Sequence, residues 1–482
     1  MDRPQQDQGG LRDPHDPLFL RVSGTGSRGG YRGAHHRTGT GYLRRAGRAV
    51  PQGGLTMARK MKDSGIEWIG EIPEGWRTIN PKALFTQRKD KAQKGERQLT
   101  SSQQYGILYQ DDYMELTGSK VVTVEKDFDI LKHVEAGDFV ISMRSFQGGL
   151  EYSTKSGAIS SAYIMLVPNL ELVYPRFYKW LLKSSVYIDA LQRTTNMVRD
   201  GQAMRYSNFA QVRLFTLPLD EQKSRADFLD LECSSIDKIL SKTRSSIEEY
   251  KKLKQAVITQ AVTKGVRGER EMKDSGVEWI REIPVDWEIS RIKYVSIFEP
   301  SCDFKKLTPE TIITYSPMEC IKNGTFERRT SLYGNLAHTL TPFQNGDIVM
   351  AKVTPCFENG NIAIMNELQS GYGLGSSELF VFRPQNINTR YLFYWLQNKL
   401  FVHQACATMT GTGGLKRISP SFVKNCNIHY PSAAEQAQIA AYLDAKCAEI
   451  DGLIAKKEQL VKELESYKKS LIYEVVTGKR EV

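Results

Sequence analysis

Two stretches of this chain repeat buried-type positions at alternating spacings of four and three. The first runs through Leu229, Cys233, Ile236, Leu240, Thr243, Ile247, Tyr250, Lys254, Val257 and Ala261. The second runs through Leu443, Cys447, Ile450, Ile454, Lys457, Val461, Leu464, Lys468, Leu471 and Val475. A mean spacing of about 3.5 sustained in this way predicts two long helices with coiled-coil seams. Further apolar positions, Ile239, Leu253 and Ile258 in one stretch and Leu453, Leu460, Tyr467 and Ile472 in the other, widen the stripe, so each helix should have more than one neighbour. Pro218 and Pro431 stand just ahead of the helices, Glu-Gln pairs enter their first turns, and Gly265 and Gly478 fall at their ends. Such helices run ~60 Å, and pairing them antiparallel would make a rod. Lys457 and Lys468 in the seam are expected to pack their stems and hold their ammonium groups outward.

Ahead of each helix the pattern changes to short apolar runs. KVVTVEKD, DFVISMR and AYIMLVP predict strands, followed by a helix over PRFYKWLLKSSVYIDAL. Later in the chain DIVMAKV, NIAIMN and ELFVFRP predict strands, followed by a helix over RYLFYWLQNKLFVHQA. In both, a polar loop and a last strand then lead to the proline. The fold class read from this is α/β (α+β), with two globular domains separated by two long antiparallel coiled-coil helices.

The two halves are copies. MKDSGIEWIGEIPEGW at Met61–Trp76 returns as MKDSGVEWIREIPVDW at Met272–Trp287. From Glu221 to Thr263 and from Glu435 to Thr477 the copies align without a gap, with Leu229, Asp230, Cys233, Ile236, Asp237, Ile258 and Val262 each meeting an identical residue. The middles diverge apart from echoes: Gly-Asp before an apolar run, Ser160-Ser161 with Ser376-Ser377, and Arg-Tyr-Ser at 205–207 with Arg-Ile-Ser at 417–419. Copy one is 61–271 and copy two 272–482. The expected domains are 57–216, the helix 217–271, then 272–429 and the helix 430–482. Trp68, Trp76, Trp279 and Trp287 in the repeated opening are read as packing anchors. Similar ends around different middles imply one scaffold carrying two different readers.

Charge and composition then narrow the class. Lys plus Arg exceed Asp plus Glu for a net charge of +11, which makes a polyanion such as nucleic acid a plausible partner. At 482 residues more than one core is expected. No apolar run approaches the ~20 residues that span a bilayer. The seven cysteines form no CxxC pair and follow no export signal, so a reducing cytoplasm is the expected location and a disulfide framework or zinc ribbon is not expected. Residues 1–56 stand apart: rich in Gly and Arg, without Lys and without periodicity, they read as a basic disordered tail or as an extension from a start assigned too early.

Polar, glycine-bearing loops sit at matching points of both domains: MRSFQGG (143–149) and NMVRDGQAMR (196–205) in the first, AKVTPCFENGN (351–361) and TGTGGLKR (410–417) in the second. Arg and Lys can clamp guanine edges, Asn and Gln can clamp adenine, and Gly lets backbone approach phosphate. What is missing matters equally. There is no phosphate-binding G-x-x-x-x-G-K-[ST] loop, no methyltransferase glycine loop with an Asn/Asp-Pro-Pro-aromatic tetrad, and no convincing nuclease carboxylate pair, Ser or Cys nucleophile motif or metal cluster. The chain is expected to do no chemistry alone.

MKDSGIEWIGEIPEGW, GDFVISMRSFQGGLEYS, AKVTPCFENGN, the proline and Glu-Gln opening each helix and the ESYKKSLIYEVVTGK ending together resemble the specificity subunit of a type I DNA restriction-modification enzyme, over residues 57–482. The resemblance implies two target-recognition domains, each reading half of a bipartite site in double-stranded DNA, at a separation fixed by the helices. It implies two methyltransferase (modification) subunits docked on the helices and two restriction/motor subunits beyond them, with S-adenosylmethionine, ATP and Mg2+ belonging to those partners and no cofactor to this chain. The matching loops nominate Arg144, Gln147, Arg199 and Arg205 in the first domain and Lys352, Asn359, Asn361, Lys416 and Arg417 in the second as DNA contacts. Leu229, Ile236, Leu240, Ile247, Val257, Leu443, Ile450, Ile454, Val461, Leu464 and Leu471 are nominated for helix pairing and subunit docking. The rival is a coiled-coil scaffold whose globular ends bind proteins, its basic charge incidental.

Overall fold

The computed structural model describes residues 59–124, 128–142, 150–194, 205–322, 324–337, 339–411 and 414–482. The seam residues form two helices, Leu219–Lys264 and Ala433–Val476, of 46 and 44 residues. At 1.5 Å per residue each is about 65–70 Å long. They run antiparallel, which the ion pairs between them establish: Lys254 Nζ lies 2.7 Å from Asp451 Oδ2 and Lys468 Nζ 2.6 Å from Asp237 Oδ1, with Arg244 on Glu465 between. Asp237 and Asp451 are the same position of the repeat, as are Lys254 and Lys468, so these two pairs are mates about a pseudo-twofold axis. Leu229, Ile236, Leu240, Ile247, Leu443, Ile450 and Leu471 are buried; Val257, Ile454, Val461 and Leu464 are half-buried. The lysines in the seam keep their charges outward: Lys468 is paired to Asp237, and Lys457 lies over the Tyr250 ring.

Each domain is built on the same four-stranded antiparallel sheet. In the first its order is Phe85–Arg88, Tyr163–Pro168, Phe139–Ser142, Leu150–Tyr152. In the second it is Ser296–Phe298, Leu379–Pro384, Ile348–Ala351, Ile362–Ile364. The Gly-Asp echo marks a shared buried ion pair at the turn before the third strand of each list. Asp138 receives Arg88 Nε at 2.6 Å, and Asp347 receives Arg383 Nε at 2.8 Å. The two arginines come from different strands, so only the buried acid is repeated. The second domain also has another sheet, ordered Arg329–Leu332, Ile312–Ser316, Tyr372–Gly375, Thr341–Gln344, where the first has two separate strand pairs.

The opening repeated sequence is a mount. In each copy a short hairpin, Met61–Asp63 with Glu71–Pro73 or Met272–Asp274 with Glu282–Pro284, precedes the tryptophan. Asp63 and Asp274 each accept the N–H of the following Gly at 2.9 Å, and Ser64 and Ser275 accept the next N–H but one. Trp76 and Trp287 are buried at the centre of the junction with the helices.

Each core is closed by the other copy's helix end. The first gathers Leu229–Leu240 with Leu471, Val475 and Val476; the second gathers Ile439–Cys447 with Ile258, Ala261 and Val262. Burying these helix ends against the sheets' side of the molecule sets which domain sits at which end of the helix pair.

Three predicted elements differ. KVVTVEKD forms no strand over its described residues: Val122 is 87% exposed, and the segment is held instead by the Gln98 amide, which donates to Val124 O and accepts Val124 N–H. A β-branched run without a partner strand or a buried face does not make a strand. Each single predicted helix is two, Pro175–Leu182 with Ser185–Arg193, and Thr389–Trp395 with Lys399–Ala407. The break falls at equivalent buried residues. Asn398 Oδ1 accepts Phe401 N–H as an N-cap, and Ser184 Oγ donates to Leu181 O, so each side chain competes with the helix at that point.

Candidate nucleic-acid interface

In the second domain the two nominated loops are one structure. Thr354 N–H donates to Lys416 O at 2.9 Å, Lys416 N–H donates to Thr354 Oγ1 at 2.9 Å, and that hydroxyl donates to Gly414 O at 2.9 Å. Ile418 N–H donates to Lys352 O at 2.9 Å. Loop 351–361 closes on itself through Ala351 N–H to Asn361 O and Asn361 N–H to Cys356 O. Loop 410–417 closes through a two-way backbone pair of Thr410 with Arg417 at 3.0 and 2.8 Å. The chain passes so near itself there that a Cβ on Gly411 would lie 2.3 Å from Leu415 O, which only glycine avoids.

These ties bring Lys352, Lys416 and Arg417 onto one edge, with Asn361 at the base of the first loop and Asn359 exposed on it. Lys352 Nζ lies over the Phe380 ring, 5.6 Å from its centroid. Arg417 is bound to Glu378, a residue sequence reading missed: Nε donates to Oε2 at 2.9 Å and Nη2 to Oε1 at 2.8 Å. The Arg417 guanidinium holds the Glu378 carboxyl below the usual carboxylate range, so the pair is ionised at neutral pH. Glu378 also anchors the first loop, its carbonyl accepting Lys352 N–H at 3.0 Å. Nothing in the sequence pointed to it, because it lies 39 residues from its arginine.

In the first domain Arg144, Gln147 and Arg199 lie outside the described residues. Arg205 is exposed at the start of the helix Tyr206–Gln211, its N–H donating to Asn208 Oδ1 at 3.0 Å. Arg205 caps its short helix at the place that Ser419 takes ahead of Pro420–Asn425 in the second copy, so Arg417 lies two residues earlier and the Arg-Tyr-Ser and Arg-Ile-Ser echo does not superpose. The Ser-Ser echo is a shared turn: Ala162 N–H donates to Ser160 Oγ and Glu378 N–H to Ser376 Oγ. Copy one has an alanine where copy two has Glu378.

The edge offers cationic and amide side chains suited to binding an anion or a base edge. Among the described residues no group of three or more His, Cys, Asp or Glu could hold a metal ion, and no helix is long and apolar enough to cross a membrane. The cysteine thiols that depart from their ordinary value, Cys233, Cys302, Cys320, Cys406, Cys426 and Cys447, are all pushed up by burial, away from nucleophilic use.

Residues 284–463 match the family model described as "Type I restriction modification DNA specificity domain". The chain is similar to the type I restriction enzyme EcoEI specificity subunit of Escherichia coli, 32% identical over 163 residues, which is 33% of this chain and 27% of that protein. The matched stretch therefore spans about a quarter of that relative's length. The chain is also similar to the type I restriction enzyme MjaVIII specificity subunit of Methanocaldococcus jannaschii, 24% identical over 72% of this chain and 80% of that one. Among solved structures, one described as "Structural basis underlying complex assembly and conformational transition of the type I R-M system" shares the fold with a TM-score of 0.62 at 14% identity, covering 85% of this chain and 99% of that one.

Proposed function

We propose that this chain, whose residues 284–463 match the type I restriction modification DNA specificity domain and which is similar to type I specificity subunits, selects the DNA on which a restriction-modification complex acts and performs no chemistry itself. Each domain reads one half of a bipartite site, and the helix pair sets the distance between the halves. The observation that carries this reading is the pseudo-twofold pairing of Lys254 with Asp451 and Lys468 with Asp237, which fixes two domains of like scaffold and unlike loops at one separation. Lys352, Lys416, Arg417, Asn359 and Asn361 contact DNA in the second domain, and Arg205 in the first together with Arg144, Gln147 and Arg199. Double-stranded DNA meets the loops; methyltransferase subunits, with S-adenosylmethionine, meet the helices, and restriction/motor subunits, with ATP and Mg2+, complete the complex in the cytoplasm.

The helix surface supports partner docking. Ile239, Leu253, Leu460 and Tyr467 are each between 41% and 48% exposed on helices whose seams are already filled. Leu253 and Tyr467 are one position of the repeat, so each copy offers one such side chain. Leu253→Asp with Tyr467→Asp should abolish co-elution with the methyltransferase subunits in size-exclusion chromatography while leaving the helical circular dichroism unchanged.

The deciding experiment maps N6-methyladenine across the host genome with the gene present and deleted. A gapped two-part motif that vanishes on deletion supports the reading. Retention of every methylation motif, with no sequence-specific DNA binding by the assembled complex, would leave a protein-binding scaffold in its place.

A further inference from the structure

We propose that Glu378 is the positioning residue that aims Arg417 at a guanine in the half-site read by the second domain; this rests on the DNA-reading function proposed above. A guanidinium has two edges that can grip a pair of acceptors. Glu378 occupies the side edge, Nε with Nη2. The end edge, Nη1 with the second N–H of Nη2, has no hydrogen-bond partner among the described residues, and the Arg417 side chain is 50% exposed. That edge has the spacing that matches O6 and N7 of guanine in the major groove.

The carboxylate does two things at once. It removes rotamer freedom from a long side chain, so that the ordering is complete before DNA arrives. It also cancels most of the arginine's charge, which weakens capture by any phosphate and leaves geometry to choose the partner. The backbone reinforces this: Arg417 is paired both ways to Thr410, and Glu378 O is tied to Lys352 N–H, so neither end of the ion pair can drift. Lys416, its immediate neighbour, is exposed and pairs with no carboxylate among the described residues, which suits it to phosphate contact. In the first domain the turn that carries Glu378 carries Ala162, so that turn offers no carboxylate to an arginine.

The test uses the assembled complex of this chain with its methyltransferase subunits. Arg417→Ala, Glu378→Ala and Glu378→Gln are compared by methylation mapping and by competition binding. The binding probes are duplexes carrying the mapped motif, with each G·C pair of its halves replaced in turn. Arg417→Ala and Glu378→Ala should relax the same single G·C position by about tenfold or more. Glu378→Gln, which keeps the shape but not the charge, should fall between, and Glu378→Ala should bind a motif-free duplex as well as the wild type or better. If Arg417→Ala relaxes one position and Glu378→Ala leaves it intact, the positioning role is wrong although the reading domain stands. If both variants weaken every duplex equally and melt earlier, the ion pair is only structural and the proposal falls. If the wild-type complex prefers no sequence, the functional reading fails and takes this inference with it.

Discussion

The two ends of the helix pair face the same physical problem and solve it with different chemistry. At each end, the last carbonyls of one copy's helix are buried against the other copy's tryptophan. In the first domain the answer is Arg225, 1% exposed, whose Nη1 donates to Val475 O at 2.8 Å and to Arg480 O at 2.9 Å while its guanidinium lies 5.0 Å over Trp76 and pairs with Glu221. In the second domain the residue at the repeat position of Arg225 is Ile439, and the work passes to His429, whose Nε2 lies 2.9 Å from Val262 O. His429 in turn replaces Phe215: Trp76 stacks on Phe215 at 5.0 Å, Trp287 on His429 at 5.8 Å. A cation that never loses its charge holds the carbonyls at one end and a neutral imidazole holds the carbonyl at the other, where Arg270 keeps Glu435, the counterpart of Glu221, paired at 2.6 Å. The repeat therefore constrains the shape of the junction and leaves its electrostatics free.

The comparison is broken most severely at Arg225. Arg225→Ala strips the Val475 and Arg480 carbonyls of their buried donor and Glu221 of its guanidinium, and should cost about 3 to 5 kcal/mol of stability. Chemical denaturation should show it, with hydrogen exchange rising at 471–476 and in the first domain before the second. A loss below 1 kcal/mol would mean that solvent replaces the arginine and that the junction is looser than its burial implies.

At the other end the effect depends on pH. Burial lowers His429 from the ordinary 6.5 to about 4. The unfolded chain therefore takes up a proton that the folded chain refuses, so stability is full above pH 6.5, declines as the pH falls toward 4, and levels off below it. The decline should approach about 3 kcal/mol. His429→Phe, which copies the first domain, should flatten that slope and cost only about 1 kcal/mol at neutral pH, because Tyr391 OH still reaches Val262 O at 3.3 Å. A slope that survives the substitution would assign the acid sensitivity to another group.

Smaller effects sharpen the symmetry. Asp237→Asn and Asp451→Asn each remove one of two equivalent, exposed ion pairs and should each cost less than about 1 kcal/mol, by equal amounts. Unequal costs in denaturation would show that the rod is stiffer at one end. Smallest is Arg281, which holds φ 67° where copy one has Gly70 at φ 73°. Arg281→Gly should raise stability by a few tenths of a kcal/mol, the relief of left-handed strain being partly offset by chain entropy. A loss in the melting curve would mean that the arginine side chain stabilises its turn by more than the strain costs.

These contrasts also show what a linear pattern can carry. The helices were legible because a seam of period about 3.5 is local and repeated, and the mount was legible because it is written twice. The helix breaks at Ser184 and Asn398 were written in the sequence but outweighed by the apolar residues on both sides, and KVVTVEKD had strand composition without a neighbour to pair with. Arg225 and Glu378 lay beyond reach for another reason. Their partners stand 250 and 39 residues away, and no local rule ties an arginine to a carbonyl that only the closed fold brings near. At the loops, residue type suggested Arg417, but the geometry that aims it comes from tertiary contact alone.

The closure of each core by the opposite helix has a consequence in time. Arg225 leaves the ribosome 250 residues before Val475, the carbonyl it holds. At a synthesis rate of about 5 to 20 residues per second, the first domain waits roughly 10 to 50 s for Leu471, Val475 and Val476 to cover its apolar face. The second domain, whose visiting residues Ile258, Ala261 and Val262 were made earlier, has no such wait. The half of the protein that is translated first is the half that is finished last, and nascent-chain chaperones should be needed there more than anywhere else along the chain.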